Sequence, residues 1–374
     1  MAPVQLPYIR LTVLLLFLIT VFCTAPTDTE KDLLEMERVW QYCKIYSIWQ
    51  EYISDNPIET YNAPHEIVRG LPDTLYSDTV RYSIYWYDGT VPPSLFGGSG
   101  FNASTAQTFG PTVHYAQLTD STLYIRILEF SEYTDGSGTT QSTYTELRGI
   151  SSQSPNVIVD LRNNGGGNID ICTLSIDLFV PASTPYIGAM YRRNPNEVGD
   201  TGWEYDTLST AWTASKDGGL FEGKSLVVLT DCYTASAAEI FAAGLRDGVP
   251  GTLIYGNTTF GKGIGQYVFG LASGGAIKIT GFRFERASGP PEFRQYNKKG
   301  IAPDIPMQTV VRRSGLFWVD SLILTAGEAL ESGFKNIYDR AALSEIVRQN
   351  GAVSATCPAK RAIKFLRPED LPVY

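Results

Sequence analysis

The chain has 374 residues, of which 43 % are hydrophobic and 18 % are charged, a balance typical of a folded globular protein and not of a disordered one. Thirty Lys and Arg residues against 39 Asp and Glu residues give a formal net charge of −9, which disfavours nucleic acid as a partner because phosphates require a basic surface. Only two histidines are present, His65 and His114, so the sequence offers no His-Glu-x-x-His zinc site and disfavours a histidine-based catalytic triad.

The N-terminus carries a short apolar run, from Leu11 to Cys23, directly after Arg10. The run is shorter than the roughly 20 residues of a transmembrane helix and is typical of a secretory signal peptide, which we predict at residues 1–24. We therefore expect an exported protein, periplasmic or extracellular, without an integral membrane domain. The alternative is that the N-terminal segment is retained as a membrane anchor.

Four cysteines follow this segment, and none of them forms a Cys-x-x-Cys pair. Cys-x-x-Cys pairs are the usual mark of metal or redox chemistry, so neither is predicted. The four could form up to two disulfides or could stay free and buried, and the sequence leaves both possibilities open. They are Cys43, Cys172, Cys232 and Cys357.

The first part of the mature chain is predicted to be helical. Apolar residues recur at roughly helical spacing from Asp32 to Ile53, within a helical region taken as residues 25–75. Alternating apolar residues from Tyr82 to Trp86 then predict a short strand. The stretch at residues 92–110 is rich in Gly, Ser, Pro and Thr, and is typical of a loop.

Apolar strands alternate with helix-compatible segments in the rest of the chain. Strands are predicted at residues 123–130, 156–161, 225–230 and 276–284. Helices are predicted at 235–246 and, as the last helix, at 317–331. This alternation indicates an α/β fold with a mostly parallel sheet covered on both faces. We assign residues 76–335 to one α/β domain, within which 186–219 form a cap over the site and not part of the core, and residues 336–374 to a C-terminal extension.

Two apparent motifs fail because of their context. Gly218–Ser225 fits the Walker A pattern, but it leads into a strand, whereas a phosphate-binding loop follows a strand and opens a helix. Ser332–Lys335 fits the Ser-x-x-Lys pattern of penicillin-recognising enzymes, but no Lys-Thr-Gly or Ser-Asp-Asn accompanies it. We therefore predict neither a nucleotide site nor a penicillin-recognising enzyme.

Two segments at the ends of predicted strands carry chemistry. Asp160–Gly167 ends in three glycines, which allow a close approach between backbone and ligand, although a glycine-rich turn has the same composition. Thr234–Glu239 opens a helix, and Ser236 with Glu239 fits a capping box. The same position places the Ser236 hydroxyl at the positive end of a helix dipole beside the N–H of Ala237, where an oxyanion would be stabilised. N-cap and nucleophile are thus both open for Ser236.

A third segment, Thr259–Gln266, places Lys262 between two glycines. A lysine acts as a general base only when burial lowers its pKa towards the working pH, and small neighbours permit that packing. Gln266 can then hydrogen-bond the amine. The alternative is an ordinary solvated lysine.

These segments read DLRNNGGGN, TASAAEIFAAGLRDG and TFGKGIGQ. Together with Gly300–Ile305 they resemble the ordered signatures of the C-terminal processing, or tail-specific, serine proteases. The likeness covers roughly Leu123 to Ile305 and includes the order and spacing of the segments. It implies the crotonase-like α/β core of that family, with no metal and no cofactor.

The resemblance also implies a role for each matching residue. Ser236 would be the nucleophile, Lys262 the general base and Gln266 the residue that orients the lysine. The N–H groups of Gly166 and Ala237 would form the oxyanion hole. These roles define a Ser-Lys dyad.

Many members of that family carry a PDZ domain before the core, and the segment between Ile53 and Leu123 leaves too little room for one. We therefore expect a PDZ-lacking serine endopeptidase that cleaves exported or unfolded protein or peptide substrates, with cleavage near C-termini as one option. A non-catalytic binding protein on the same scaffold is the alternative from another class. A crotonase-type acyl-CoA enzyme is a third reading, since it shares the oxyanion donors without needing the dyad.

Overall fold

The structure, a computed structural model, describes residues 28–72, 82–87, 89–91, 111–192, 203–209, 219–288, 294–314 and 316–349. The predicted signal peptide, the predicted loop at 92–110 and the end of the C-terminal extension lie outside these residues. In the described ranges, no helix combines the length and apolar character needed to cross a membrane.

The described ranges contain short and long strands in the following chain order: β1 (Ile84–Trp86), β2 (Val113–Gln117), β3 (Thr122–Ile127), β4 (Glu132–Thr134), β5 (Thr140–Ser142), β6 (Asn156–Asp160), β7 (Pro185–Arg192), β8 (Trp203–Ser209), β9 (Ser225–Thr230), β10 (Leu253–Gly256), β11 (Ile264–Gly270), β12 (Ala276–Arg286), β13 (Ile305–Pro306), β14 (Val311–Ser314) and β15 (Phe317–Asp320). The helices are α1 (Asp28–Tyr46), α2 (Pro57–Thr60), α3 (Pro64–Arg69), α4 (Thr143–Arg148), α5 (Ile169–Ile176), α6 (Ala237–Gly248), α7 (Ser321–Leu330), α8 (Phe334–Ile337) and α9 (Arg340–Gln349).

A central sheet of six strands in the order β13-β10-β9-β6-β3-β2 carries the fold. All neighbours in it are parallel except β2, which runs antiparallel to β3. Side chains alternate between its faces, as the two-residue period of a strand requires. Val157 and Val159 lie in the core that contains α6, whereas Ile158 packs with Leu322 and Phe334 on the other face. The predicted α/β fold with a mostly parallel sheet is thus confirmed.

A second, antiparallel sheet contains β1, β12, β7 and β8, with β11 paired to β12. The strand predicted at 276–284 is therefore present, as β12, but outside the parallel sheet. α1 packs Met36, Val39 and Cys43 into one buried cluster with Ile277 and Ile279 of β12. The helices predicted at the N-terminus are thus attached to this second sheet.

Part of the segment at 186–219 belongs to the core, whereas a cap over the site was predicted for all of it. Its start forms β7, and Tyr186 and Ile187 are buried in the same core as α6. The Tyr186 side chain packs against two glycines of α6: a Cβ on Gly248 would stand 3.3 Å from the Cβ of Tyr186, and one on Gly244 would stand 3.5 Å from Cδ2 of its ring. The composition of the segment concealed this packing, which depends on glycines that lie elsewhere in the chain.

The helix predicted at 317–331 is divided. Residues 317–320 form β15, and α7 begins only after Asp320, whose Oδ1 accepts the N–H groups of Leu322 and Ile323 at 2.9 and 3.3 Å. An Asp N-cap is a strong helix start, and it fixes the boundary here. The prediction that this helix is the last one is wrong, because α8 and α9 follow and α9 buries Leu343 and Ile346 against the central sheet.

Of the cysteines, Cys43 and Cys172 are free and buried. Neither therefore takes part in a disulfide, and the reading of buried free thiols holds for these two.

Candidate active site

Ser236 lies at the sharp turn between β9 and α6. Its backbone angles, φ 57° and ψ −122°, differ from the extended conformation of an ordinary N-cap and are strained for a residue with a side chain. The turn is held from several sides. Asp231 Oδ1 accepts the N–H of Thr234 at 3.0 Å, and the N–H of Ala235 donates to the carbonyl of Asn164 at 2.9 Å. Strain that persists because the surroundings enforce it is typical of functional turns.

The glycine segment after β6 reaches this turn. Gly166 has a φ of 108°, and a Cβ added to it would stand 2.7 Å from the Cβ of Ser236 and 2.9 Å from the nitrogen of Ala237. The structure therefore brings Gly166, Ser236 and Ala237 together, as the sequence predicted. Only glycine combines this backbone conformation with this contact.

The two predicted oxyanion donors differ in availability. Ala237 is the first residue of α6, so its N–H has no acceptor within the helix and points out of the helix end. The N–H of Gly166 instead donates to Oδ1 of Asn164 at 2.9 Å. Asn164 is buried, and its Nδ2 donates to the carbonyl of Ile127 at 3.0 Å. In this conformation the N–H of Gly166 is bonded within its own loop, so its role as an oxyanion donor stays a prediction.

Glu239 is the group on which the turn at Ser236 and the loop around Lys262 meet. Its side chain is fully buried, and Oε2 accepts the backbone N–H of Ser236 at 2.9 Å and that of Lys262 at 2.7 Å. Oε1 accepts the Thr259 hydroxyl at 2.5 Å and the N–H of Gly261 at 2.7 Å. The sequence predicted only the link to Ser236, as half of a capping box. The links to the lysine loop are tertiary contacts without a local signal.

Burial also favours the neutral form of the Lys262 amine. Desolvation first, and the nearby positive charge of Lys278 second, lower the pKa of Lys262 to about 8, against the opposing effect of Glu239. The Nζ atom lies 5.0 Å from the centroid of the Tyr82 ring. Lys262 thus has the lowered pKa that a general base needs, for the reason that the sequence predicted.

Gln266 is not in the predicted place. Its Nε2 contacts Oγ1 of Thr280 on the neighbouring strand at 3.4 Å, and the part of the chain that the structure describes shows no hydrogen bond between Gln266 and Lys262. The pairing of β11 with β12 shifts register between Gly265 and Gln266. This bulge redirects the Gln266 side chain, since a bulge changes which way the strand's side chains point.

Both histidines lie elsewhere. His65 Nδ1 is 2.8 Å from the Tyr87 hydroxyl at the N-terminal helices, and His114 is on β2 opposite Arg126. Among the described residues there is also no group of three or more His, Cys, Asp or Glu side chains placed to hold a metal ion.

A sequence model of Peptidase family S41 matches residues 121–307, half of the chain. The chain belongs to peptidase family S41. The resemblance to C-terminal processing serine proteases is thereby confirmed, and the matched S41 region contains the Gly166, Ser236, Glu239 and Lys262 positions described above.

Curated relatives carry names of the same kind. The chain is 32 % identical over 191 residues to the chloroplastic C-terminal processing peptidase of Tetradesmus obliquus. This alignment covers 50 % of this chain and 35 % of the relative. It is 35 % identical over 147 residues to the carboxyl-terminal-processing protease of Synechocystis sp., covering 39 % of this chain and 30 % of the relative. The S41 chain therefore aligns with only about a third of the length of these two proteins.

Among solved structures, a lipoprotein from Streptococcus agalactiae superposes with a TM-score of 0.51 at 16 % identity, over 76 % of this chain and 93 % of that chain. At this identity the likeness concerns the fold alone. It extends the shared architecture of this S41 member beyond the region that the family model matches.

Proposed function

We propose that this protein is a serine endopeptidase in which Ser236 is the nucleophile and Lys262 the general base. The observation that carries the proposal is the junction at Glu239, where one carboxylate oxygen accepts the backbone N–H groups of both residues. The strained turn at Ser236 and the lowered pKa of Lys262, about 8, support the two roles separately.

The chemical steps follow from these roles. Neutral Lys262 takes the hydroxyl proton of Ser236 while the Oγ of Ser236 attacks a peptide carbonyl. The protonated lysine then gives a proton to the leaving amine, and an acyl-enzyme remains on Ser236. The same lysine then deprotonates a water molecule, which attacks the acyl-enzyme and releases the acyl group. The protonated lysine returns its proton to the Oγ of Ser236 and so restores the hydroxyl.

The negative oxygen of the tetrahedral intermediate would be bound at the start of α6. The N–H of Ala237 and the positive end of the helix supply that stabilisation. Gly166 stays in the proposal as the second donor, on condition that substrate binding draws its N–H away from Asn164. Gln266 stays as the residue that orients the lysine, on condition that it turns from Thr280.

The proposed substrates are protein or peptide chains that are exported or unfolded. Cleavage near C-termini is included because the two relatives named above are C-terminal processing enzymes. Our proposal of export rests on the predicted signal peptide at residues 1–24. We assign the catalytic domain to residues 76–335, around the region matched by the family model. The C-terminal extension is placed at 336–374.

The test is incubation of the purified full chain with an unfolded protein, followed by mass spectrometry of the fragments. We expect cleavage by the wild type and none by Ser236→Ala or Lys262→Ala. Ser183→Ala is the matched control, because Ser183 is an exposed serine with a similar φ of 63° outside the site. Binding without cleavage would support the non-catalytic alternative, and turnover of an acyl-CoA thioester without proteolysis would support the crotonase-type enzyme.

A further inference from the structure

Glu239 makes four hydrogen bonds that use all of its acceptor capacity. An ionised carboxylate has about four lone-pair positions, and three backbone N–H groups and one hydroxyl point at them. The donors are Ser236, Gly261 and Lys262 through the backbone and Thr259 through the side chain. The side chain is fully buried, so water cannot replace any of them.

We propose that Glu239 is a positioning residue whose ionised carboxylate assembles the nucleophile turn and the base loop, so that protonation of Glu239 takes the site apart. This inference rests on the proposed function of Ser236 and Lys262. It assigns to Glu239 a part in the reaction beyond that of a helix cap, although Glu239 itself touches no substrate.

The reason is that a proton on the carboxylate would meet donors that already point at both oxygens. On Oε2 it would face the N–H groups of Ser236 and Lys262, which belong to the backbone and cannot turn away. On Oε1 it would face the N–H of Gly261 and the hydroxyl of Thr259. The Thr259 oxygen, which accepts the N–H of Ile301 at 2.7 Å, could accept this proton only by turning its own hydrogen away from Glu239. A buried donor left without an acceptor costs about 1–3 kcal/mol, so the loop would be pushed off the helix.

The surroundings of Glu239 place its protonation in an accessible pH range. Burial raises the pKa of Glu239 to about 7, against the four hydrogen bonds, which lower it. Lys262 faces Glu239 from the base loop, and Lys278 of β12 faces Lys262. Tyr296 is also close enough to Glu239, Cys172 and Glu285 to interact with them electrostatically, and burial raises its own pKa well above the usual value.

Glu239→Gln tests the proposal because it keeps the shape of the side chain and replaces one acceptor oxygen by a donor group. We expect kcat for peptide hydrolysis to fall about 100-fold, as displacement of a reacting group by about 1 Å does, with little change in KM. The acid limb of the remaining activity should move to lower pH. The cause is that Glu239 raises the pKa of Lys262, so loss of its charge lowers that pKa.

Glu146→Gln is the matched control. Glu146 also accepts backbone N–H groups, from Thr112 and Val113 at 2.8 and 3.0 Å, and the hydroxyl of Tyr133, but in a part of the fold without the site residues. We expect it to lose stability while its kcat per folded molecule and its pH profile stay those of the wild type. A shift in the acid limb therefore separates positioning from general loss of structure.

A second variant covers the case in which Glu239→Gln does not fold. Thr259→Val removes a hydrogen bond that lowers the pKa of Glu239, so that pKa should rise from about 7 towards the pKa of Lys262, about 8. The acid limb should then become steeper and move to higher pH, opposite to the first variant. Wild-type kcat and pH profile in Glu239→Gln, or in Thr259→Val if the first does not fold, would overturn the inference when Ser236→Ala is inactive. Full activity of Ser236→Ala would instead refute the proposed function, and the inference with it.

Discussion

Gly166 and Ser236 are in direct contact: a Cβ on Gly166 would stand 2.7 Å from the Cβ of Ser236. The two residues come from loops after different strands, β6 and β9, which are neighbours in the central sheet. Because the carboxyl ends of parallel strands meet at one edge, the contact joins the predicted oxyanion segment to the predicted nucleophile.

This contact predicts that Gly166→Ala abolishes peptide hydrolysis. The added methyl group must displace the Ser236 turn, and its φ of 108° is strained for alanine as well. We expect a fall in kcat/KM of about 100-fold or more. Gly138→Ala is the control, because Gly138 also has a positive φ, 83°, but nothing lies within 4 Å of its Cβ position. Similar losses in both variants would show that backbone strain alone is responsible.

The pKa of Lys262 predicts the pH profile. The proposed mechanism requires the neutral amine, so kcat/KM should rise as the pH passes through about 8. Lys278→Met should move this rise to higher pH, because the positive charge of Lys278 lowers the pKa of Lys262. Lys335→Met, which removes an exposed lysine paired with Glu328, should leave the profile in place. A profile of Lys278→Met that moves to lower pH would contradict the assignment of Lys262 as the base.

Neither histidine should matter for the chemical step. We expect His65→Gln and His114→Gln to keep the kcat of the wild type, because both residues lie outside the Ser236 and Lys262 loops. Steady-state kinetics with circular dichroism checks this directly. A large fall in kcat with an unchanged fold would mean that imidazole does serve the reaction.

The buried ion pairs of Arg162 predict a large effect on stability. Its guanidinium binds Oδ2 of Asp160 at 2.5 Å and Oδ2 of Asp320 at 2.8 Å, and all three side chains are buried. Arg162→Met leaves two carboxylates without their cation, which should lower the free energy of unfolding in urea by about 3–5 kcal/mol. Lys44→Met removes an ion pair to the exposed Asp55 and should change the free energy of unfolding little. Equal effects would refute the role of burial.

The residues of the site were accessible from sequence where the signal is local. A strand followed by a turn and a helix start placed Ser236 and Ala237, and glycines on both sides of Lys262 indicated its burial. The two relationships that this conformation does not show depend on contacts without a sequence pattern. One is a bulge set by a neighbouring strand, and the other is the side chain of Asn164, two residues before Gly166, which is held by the distant Ile127. Gln266 is turned by a bulge against β12, and the N–H of Gly166 is taken by the buried Asn164.

The same distinction applies to the fold. Apolar strands and their order in the chain predicted the mostly parallel sheet, since period and composition are local properties. The assignment of β12 to a second sheet and the burial of Tyr186 depend on partners far along the chain, including two glycines of α6. The role of Glu239 as acceptor for the loop around Lys262 belongs to this class as well.

Asp320 uses its two oxygens for different purposes: Oδ1 caps α7, and Oδ2 binds Arg162, which lies in the segment that leads to Gly166. Unwinding the first turn of α7 would free this carboxylate to leave Arg162, and movement of Arg162 would loosen α7 in return. Local opening of the C-terminal helices and ordering of the glycine segment are therefore thermodynamically coupled. A ligand or protein that holds α7 in place would stabilise the edge of the sheet that carries Gly166 and Ser236 from the opposite face.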